Sequence, residues 1–391
     1  MNNILKRKLR MGMVGGGQGA FIGAVHRIAA QMDGEISLCA GAFSRDPQRS
    51  HESGLSLYLP ENRIYSSYQA MIQAEANLPI DQRIDFIVIV TPNHLHFDIA
   101  KMALEYGFHV LSDKPATFDL NEALKLEKII KKSKRLYALS HTYTGYPLVK
   151  HAKALIKQEQ LGKINKIVVE YSQGWLAPSE DDTSKQASWR LDPEQSGISC
   201  CMGDIGVHAA NLAEYISGLE IEKLCADLAP VVANRQLDDD GTVLLRFNNG
   251  AKGILMASQI STGEENNIRI RIYGDKASLD WSQETPNTLW LRFPNQPTQM
   301  IRTGVGQFND NVSAAIRTPA GHPEGYLEAF ANIYLNFAAQ IQAFQSDTSV
   351  TNEQFDVPGI KEAIRGMAFI ENVVQSNKSE QKWSMFTLKI Q

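Results

Sequence analysis

The residues able to do chemistry fall into three short stretches of the 391-residue sequence. In Asp113-Lys114-Pro115 the proline restricts Lys114 to an extended backbone, which would hold an ammonium at a fixed place. A fixed ammonium can bond a substrate hydroxyl and favour its alkoxide character; a surface lysine before a turn is the alternative. In Gly203-Asp204-Ile205-Gly206-Val207-His208 a helix would set Asp204 and His208 at i,i+4 on one face. An imidazole titrates near neutrality and suits proton transfer, and a nearby carboxylate can orient it. The competing readings are an aspartate N-cap with a structural histidine, or a metal pair, for which no third ligand stands nearby. No metal is expected. The third stretch holds Gly15, Gly16, Gly17, Gly19 and Gly23. Within it Gly15-x-Gly17-x-x-Ala20 fits the dinucleotide fingerprint, with Gln18, Phe21 and Ile22 in the same turn. A pyrophosphate needs backbone N–H groups at the positive end of a helix with no Cβ in the way. A tight strand-to-helix turn is the plainer reading, and Gly23 leaves the register of the third position open.

The acid usually found about 20 residues on, which holds a ribose 2′-hydroxyl, is missing. The end of the second strand reads Phe43-Ser44-Arg45. Ser44 and Arg45 could accept a 2′-phosphate, or Arg45 could stack on adenine while Ser44 bonds a plain ribose, so NAD and NADP both stay open. Thr91-Pro92-Asn93-His94-Leu95-His96 follows a further strand and could wall the cofactor, or could be helix-entry chemistry alone.

These stretches need a parallel sheet to position them. Leu9–Val14, Ile36–Phe43, Asp85–Val90, Phe108–Leu111 and Leu136–Ser140 read as strands. Phe21–Gln31, Tyr68–Ala76, His94–Tyr106 and Asp119–Ser133 read as helices between them, with a polar stretch before Tyr68. Alternation of this kind predicts βαβ units, and hence an N-terminal doubly wound domain over residues 1–141. From residue 142 to 391 the pattern changes. A helix over Tyr146–Gln158 and a strand over Ile164–Tyr171 precede antiparallel strands joined by hairpin signals such as Asn248-Asn249-Gly250. Two long helical patterns, Glu324–Phe344 and Gly359–Gln375, come last and could pack back on the first domain. The fold class is therefore α/β, with a second domain whose antiparallel strands suggest an open sheet.

Composition narrows the function. Hydrophobic residues make up 43% and charged residues 21%, and the net charge of −4 carries no long basic run, so nucleic acid is not an expected partner. Cys39, Cys200, Cys201 and Cys225 form no CxxC pair, neither a disulfide framework nor a zinc spacing. Met1–Arg10 lacks the apolar core of a signal peptide, and no run of about 18 apolar residues suggests a membrane span. The expectation is a cytoplasmic protein.

The glycine turn, Thr91-Pro92-Asn93-x-x-His96, Asp113-Lys114-Pro115 and Asp204-x-x-x-His208 stand in the order seen in the Gfo/Idh/MocA oxidoreductases, which the chain resembles over nearly its whole length. Asp113 stands where that family usually has glutamate. The resemblance implies a Rossmann domain followed by an α+β domain built on a large, open, mostly antiparallel sheet, with dimers or tetramers formed through that sheet. It implies Lys114, Asp204 and His208 as the catalytic set, and Gly15, Gly17, Gln18, Ala20, Phe21, Ile22, Ser44, Arg45, Thr91, Pro92, Asn93, His96, Asp113 and Lys114 around an NAD or NADP cofactor. Longer signatures, His141–Pro147 and Pro319–Tyr326, are similar to a subgroup of inositol, L-glucose and levoglucosan dehydrogenases. The implied reaction is oxidation of a secondary hydroxyl of a small sugar or cyclitol by hydride transfer, with His208 as general base. The alternatives are a redox-neutral sugar lyase or glycosidase with tightly held cofactor, or a non-catalytic cofactor sensor. Trp175 and Arg190, preceding the Asp204 stretch, and His141 and Tyr143, after the last strand of the first domain, are candidate substrate contacts beside Lys114, Asp204 and His208.

Overall fold

A computed structural model describes residues 7–178, 185–348 and 355–389. The first six residues, within the stretch Met1–Arg10 weighed as a signal peptide, lie outside these. The chain divides into two compact units, one of Met1–Thr117, Asn121–Thr142 and Tyr326–Ala363, the other of Phe118–Leu120, Tyr143–Gly325 and Ile364–Gln391.

The first unit begins with β1 (Leu9–Gly15), α1 (Phe21–Gln31), β2 (Ile36–Ala42), α2 (Pro47–Ser56), α3 (Tyr68–Ala76), β3 (Phe86–Val90), α4 (His96–Glu105), β4 (His109–Ser112), α5 (Leu120–Ser133) and β5 (Tyr137–Leu139). The strands form one parallel sheet in the order β2-β1-β3-β4-β5. The order reverses between β1 and β3, and crevices at such switch points are where open parallel sheets take their ligands. Strand alternation sorts side chains onto two buried faces. Met11, Met13, Phe86 and Val88 enter one core, Val14, Ile87 and Ile89 the other. Helix α2 lies in what reads as a polar stretch. Its cue is local: Pro47 opens the helix and the Asp46 carboxylate accepts from Gln48 N–H and Arg49 N–H.

The second unit holds α6 (Pro147–Lys157), β6 (Ile164–Ser172), α7 (Lys185–Arg190) and α8 (Pro193–Ser196). A π-helical turn, Met202–Gly206, then leads into α9 (Val207–Ser217). There follow β7 (Ile221–Ala229), β8 (Asp240–Phe247), β9 (Lys252–Ser258), β10 (Asn267–Gly274), β11 (Ser278–Ser282), β12 (Thr288–Arg292), β13 (Gln299–Arg302) and α10 (Asp310–Ala314). With β14 (Ser384–Met385) the strands make a nine-stranded sheet, β13-β12-β11-β10-β6-β9-β8-β7-β14. Every pairing is antiparallel except β6 with β9. Ile268, Ile270 and Ile272 are buried while Tyr273 is exposed, the alternation of a sheet with one covered face. Gly250 closes the β8–β9 hairpin at φ +85°, where a Cβ would be strained.

Two long helices complete the chain. α11 (Tyr326–Gln345) belongs to the first unit and sets Phe330, Tyr334, Phe337 and Ile341 into the core that α1 covers. α12 (Ile360–Lys378) crosses the division between the units. Among the described residues no helix is long and apolar enough to cross a membrane.

Candidate active site

In the first unit the site residues stand at the carboxyl ends of the strands. Gly15 ends β1 with φ +83°, and a Cβ there would meet the Val90 carbonyl oxygen at 2.7 Å. Gly17 lies against Phe43 and Ser53, whose Oγ accepts from Gln18 N–H at 3.1 Å. The closest approach of helix to turn is made by Gly23, not Ala20: a Cβ on Gly23 would sit 2.4 Å from Gly16 Cα. Arg27 holds the turn from the other side, donating to the Gly16 carbonyl at 2.6 Å. The N-terminus of α1 is bare. Ala20 supplies no side-chain cap and the first turn has no acid, whereas α2 and α3 are capped by Asp46 and Ser67. Uncapped amides at a positive helix end, beside glycines at the switch point, suit a diphosphate. Phe21 opens that turn exposed, with Ile22 behind it partly buried.

Beyond β2, Ser44 Oγ accepts from Asp46 N–H at 3.1 Å and Arg45 is exposed. Beyond β3, Thr91 and Pro92 lead into a single 3₁₀ turn, Asn93–Leu95, and helix α4 starts only at His96. The His96 ring faces the Pro115 carbonyl with Nδ1 at 2.7 Å and the Thr91 carbonyl with Nε2 at 2.8 Å. Both nitrogens are thus committed to backbone that joins two loops. Asp113 does similar work between β4 and β5: its Oδ1 accepts from Lys114 N–H at 2.8 Å and from Ser140 Oγ–H at 2.6 Å. The Lys114–Pro115 peptide is cis. His141 is buried, and burial together with the nearby Lys114 charge pushes its imidazole down to about 3, with Asp113 pulling partly back. Burial thus favours its neutral form.

The second unit places Asp204 in the π turn and His208 in the first turn of α9. A continuous α-helix is therefore not what carries them: bonds of the i→i+5 kind widen that turn, so the same-face rule for i,i+4 does not transfer. Nor is Asp204 an N-cap. Asp238 takes that role, accepting from Cys200 N–H at 3.1 Å, Met202 N–H at 2.9 Å and Ser199 Oγ–H at 2.9 Å. Burial pushes the Asp238 carboxyl up to about 6.

Asp204 Oδ2 accepts from Arg190 Nε and from Gln259 Nε2, both at 3.0 Å. The Arg190 guanidinium lies 4.3 Å from the Trp189 ring and 5.8 Å from that of Trp175. Gln259 is fully buried, with its Oε1 3.4 Å from Cys200 Sγ. His208 is buried against two tyrosines, edge-on to Tyr143 at 5.1 Å and tilted to Tyr171 at 6.3 Å between ring centres.

The tyrosine hydroxyls form a closed circuit with Asn266. Tyr171 donates to Asn266 Oδ1 at 2.8 Å, which uses its one hydroxyl hydrogen. The two phenol hydroxyls also meet each other in a short contact. Asn266 Nδ2 donates to Tyr143 at 3.4 Å and completes the circuit. Gln173 extends it, donating to Asn266 Oδ1 at 2.6 Å and accepting from the Trp175 indole N–H at 2.9 Å. Burial raises the Tyr143 phenol above its ordinary range, the hydrogen bond with Tyr171 opposing. The Trp175 indole N–H is engaged with Gln173, and the Tyr143 hydroxyl is in contact with Tyr171 and Asn266. Tyr171, Gln173, Asp238, Gln259 and Asn266 carry no local sequence signal: their partners lie 93 residues or more away in three of these bonds.

Residues 9–141 match the model of an oxidoreductase family with an NAD-binding Rossmann fold, and residues 149–280 match the GFO/IDH/MocA C-terminal domain. The chain is 34% identical over 387 residues to the uncharacterized oxidoreductase YfiI of Bacillus subtilis, covering 98% of each chain. It is 28% identical over 268 residues to levoglucosan dehydrogenase of Pseudarthrobacter phenanthrenivorans, covering 63% of this chain and 65% of that one. Its fold is similar, at a TM-score of 0.91 and 32% identity over 98% of this chain and 99% of the other, to an inositol dehydrogenase homolog from Azotobacter vinelandii complexed with NADH and myo-inositol. The resemblance read from the motifs and the two-domain match agree: the chain is an NAD-binding oxidoreductase and belongs to the Gfo/Idh/MocA family.

Proposed function

We propose that the protein is a dehydrogenase that oxidises a secondary hydroxyl of a cyclic polyol, sugar or anhydrosugar, with NAD rather than NADP. The observation that carries the reading is the setting of His208: a buried imidazole walled by aromatic rings, in the same unit as a carboxylate fixed by Arg190 and Gln259. Aromatic faces suit sugar C–H surfaces, and an imidazole suits removal of a hydroxyl proton. His208 accepts that proton. Lys114 donates a hydrogen bond to the substrate oxygen and favours its alkoxide character. Asp204 orients His208 or a neighbouring substrate hydroxyl. The bare α1 terminus, the glycine turn and the Thr91–Asn93 loop hold the dinucleotide, which when bound supplies a two-electron acceptor for the carbon-bound hydrogen.

Support for NAD comes from the likeness to the inositol dehydrogenase homolog, whose structures hold NAD+ and NADH. Likeness to the inositol dehydrogenase homolog and levoglucosan dehydrogenase supports the substrate class. The test is nicotinamide absorbance against a panel of inositols, sugars and anhydrosugars with each cofactor. Net NADH formation with at least one panel member is expected. Silence across the panel with intact dinucleotide binding overturns the dehydrogenase reading in favour of redox-neutral chemistry or sensing, and a preference for NADP overturns the cofactor assignment.

A further inference from the structure

The geometry points to His96 as a doubly protonated imidazolium that clamps the loop after β3 to the turn after β4. An inventory of hydrogens requires it. Nδ1 is 2.7 Å from the Pro115 carbonyl oxygen and Nε2 is 2.8 Å from the Thr91 carbonyl oxygen. Carbonyl oxygens only accept. A neutral imidazole carries one N–H, so either neutral tautomer would press a nitrogen lone pair against an oxygen lone pair at hydrogen-bond distance. Turning the ring over would put carbons at these two places, and C–H···O contacts sit at about 3.3–3.6 Å, well beyond what is seen. The imidazolium alone has a hydrogen for each oxygen, and charge-assisted bonds of this kind are short.

The surroundings of the ring pull in both directions. Burial presses it toward the neutral form, and His94 adds to that. The N-terminal dipole of α4, whose first residue this is, also opposes a cation. The two carbonyls and Asp113 favour the charge. His26, the other imidazole facing it, is itself held neutral, pushed down to about 4 by burial, and so repels little. Burial is the largest of these influences and on balance holds the imidazole below its ordinary value; the case for the charge is the geometry, since no neutral tautomer supplies a hydrogen to both oxygens. The clamp ties Thr91, where the switch-point loop begins, to Pro115, which follows Lys114. His96 is thus a positioning residue for the cofactor loop and the lysine, and this consequence rests on the dehydrogenase reading. Its charge does not.

The first experiment reads the charge alone. In the intact protein with ¹⁵N-labelled histidine and no cofactor added, both His96 ring nitrogens are expected to show a directly bonded proton at neutral pH. The second proton should leave only above the ordinary histidine value of 6.5. One protonated and one pyridine-type nitrogen at neutral pH overturns the proposal. Assignment comes from the signals lost in His96→Gln, or, where that variant does not fold, from cross-peaks between the ring and the Thr91 and Pro115 protons. The second experiment reads the clamp. In His96→Gln, whose amide can serve only one of the two carbonyls well, KM for NAD should rise about tenfold, more than kcat falls. An unchanged KM overturns the positioning role while leaving the charge to the first experiment, and a chain inactive before mutation leaves the nuclear magnetic resonance result standing by itself.

Discussion

The two units hold their site residues by different means. In the first, side chains fasten backbone: His96 joins two carbonyls, Asp113 takes the Lys114 N–H, Ser53 takes the Gln18 N–H and Arg27 takes the Gly16 carbonyl. In the second, side chains hold side chains: Arg190 and Gln259 on Asp204, Tyr171 and Asn266 on Tyr143, Gln173 on Trp175. A cofactor shared across a family is served well by main-chain geometry, which survives most substitutions. A substrate that varies is served by side-chain networks, which can be rewired one residue at a time.

The sharpest way to separate the units is His208→Ala. Turnover should fall by about 10²–10⁴ while dinucleotide affinity, measured by fluorescence titration, is retained. Near-normal turnover would remove His208 from the chemistry and leave the second unit without its principal actor.

Asp238 tests a place where the second unit also uses the first unit's method, a carboxylate fastening backbone. Its native value of about 6 lies above the ordinary 3.8, so the native state holds that proton more tightly than the unfolded chain. Stability from this group is present at low pH and is lost as pH rises from about 4 through about 6. The size is about 3 kcal/mol, at about 1.36 kcal/mol per unit. In urea melts across that window, wild type should lose this amount relative to Asp238→Asn as pH rises. Parallel curves would mean that Asp238 keeps an ordinary acidity despite its burial.

Gly23→Val probes the main-chain side. A Cβ there meets Gly16 at 2.4 Å, so α1 must shift, at a cost of about 1–3 kcal/mol in unfolding free energy and with weaker dinucleotide binding. Unchanged affinity would show that the helix start does not set the cofactor site. The smallest effect is expected for Gln259→Leu, which removes a donor to Asp204: about a tenfold fall in kcat/KM with dinucleotide affinity kept. A fall in dinucleotide affinity instead would contradict the division of labour between the units.

That division also accounts for what could be read before folding. Main-chain devices leave local marks, since a glycine that must turn, a proline after Lys114 and alternating apolar runs all act over a few residues. The parallel sheet, Tyr68–Ala76 and the β8–β9 hairpin were legible for this reason. Helix α2 had its mark in Asp46-Pro47, outweighed by the polar run Gln48-Arg49-Ser50-His51 behind it. The π turn had none: the Asp238 carboxylate that holds its start, on Cys200 and Met202, comes from 36–38 residues away. Gln259, Asn266 and Gln173 were illegible for the same reason. An amide becomes a site residue only when a distant strand delivers it beside a carboxylate or a phenol, and the parallel pairing of β6 with β9 brings two of the strands concerned side by side.

The circuit of Tyr143, Tyr171 and Asn266 has a bearing on selectivity. On the proposed reading a sugar would meet this wall through ring faces and edges, the phenol oxygens being already engaged with each other and with Asn266. A ring carbon resting there gains nothing from carrying an oxygen, so removing or inverting that oxygen should be forgiven. Deoxy and epimeric compounds altered on that side would then be turned over about as readily as the parent, and broad taste would come from phenols already engaged with one another.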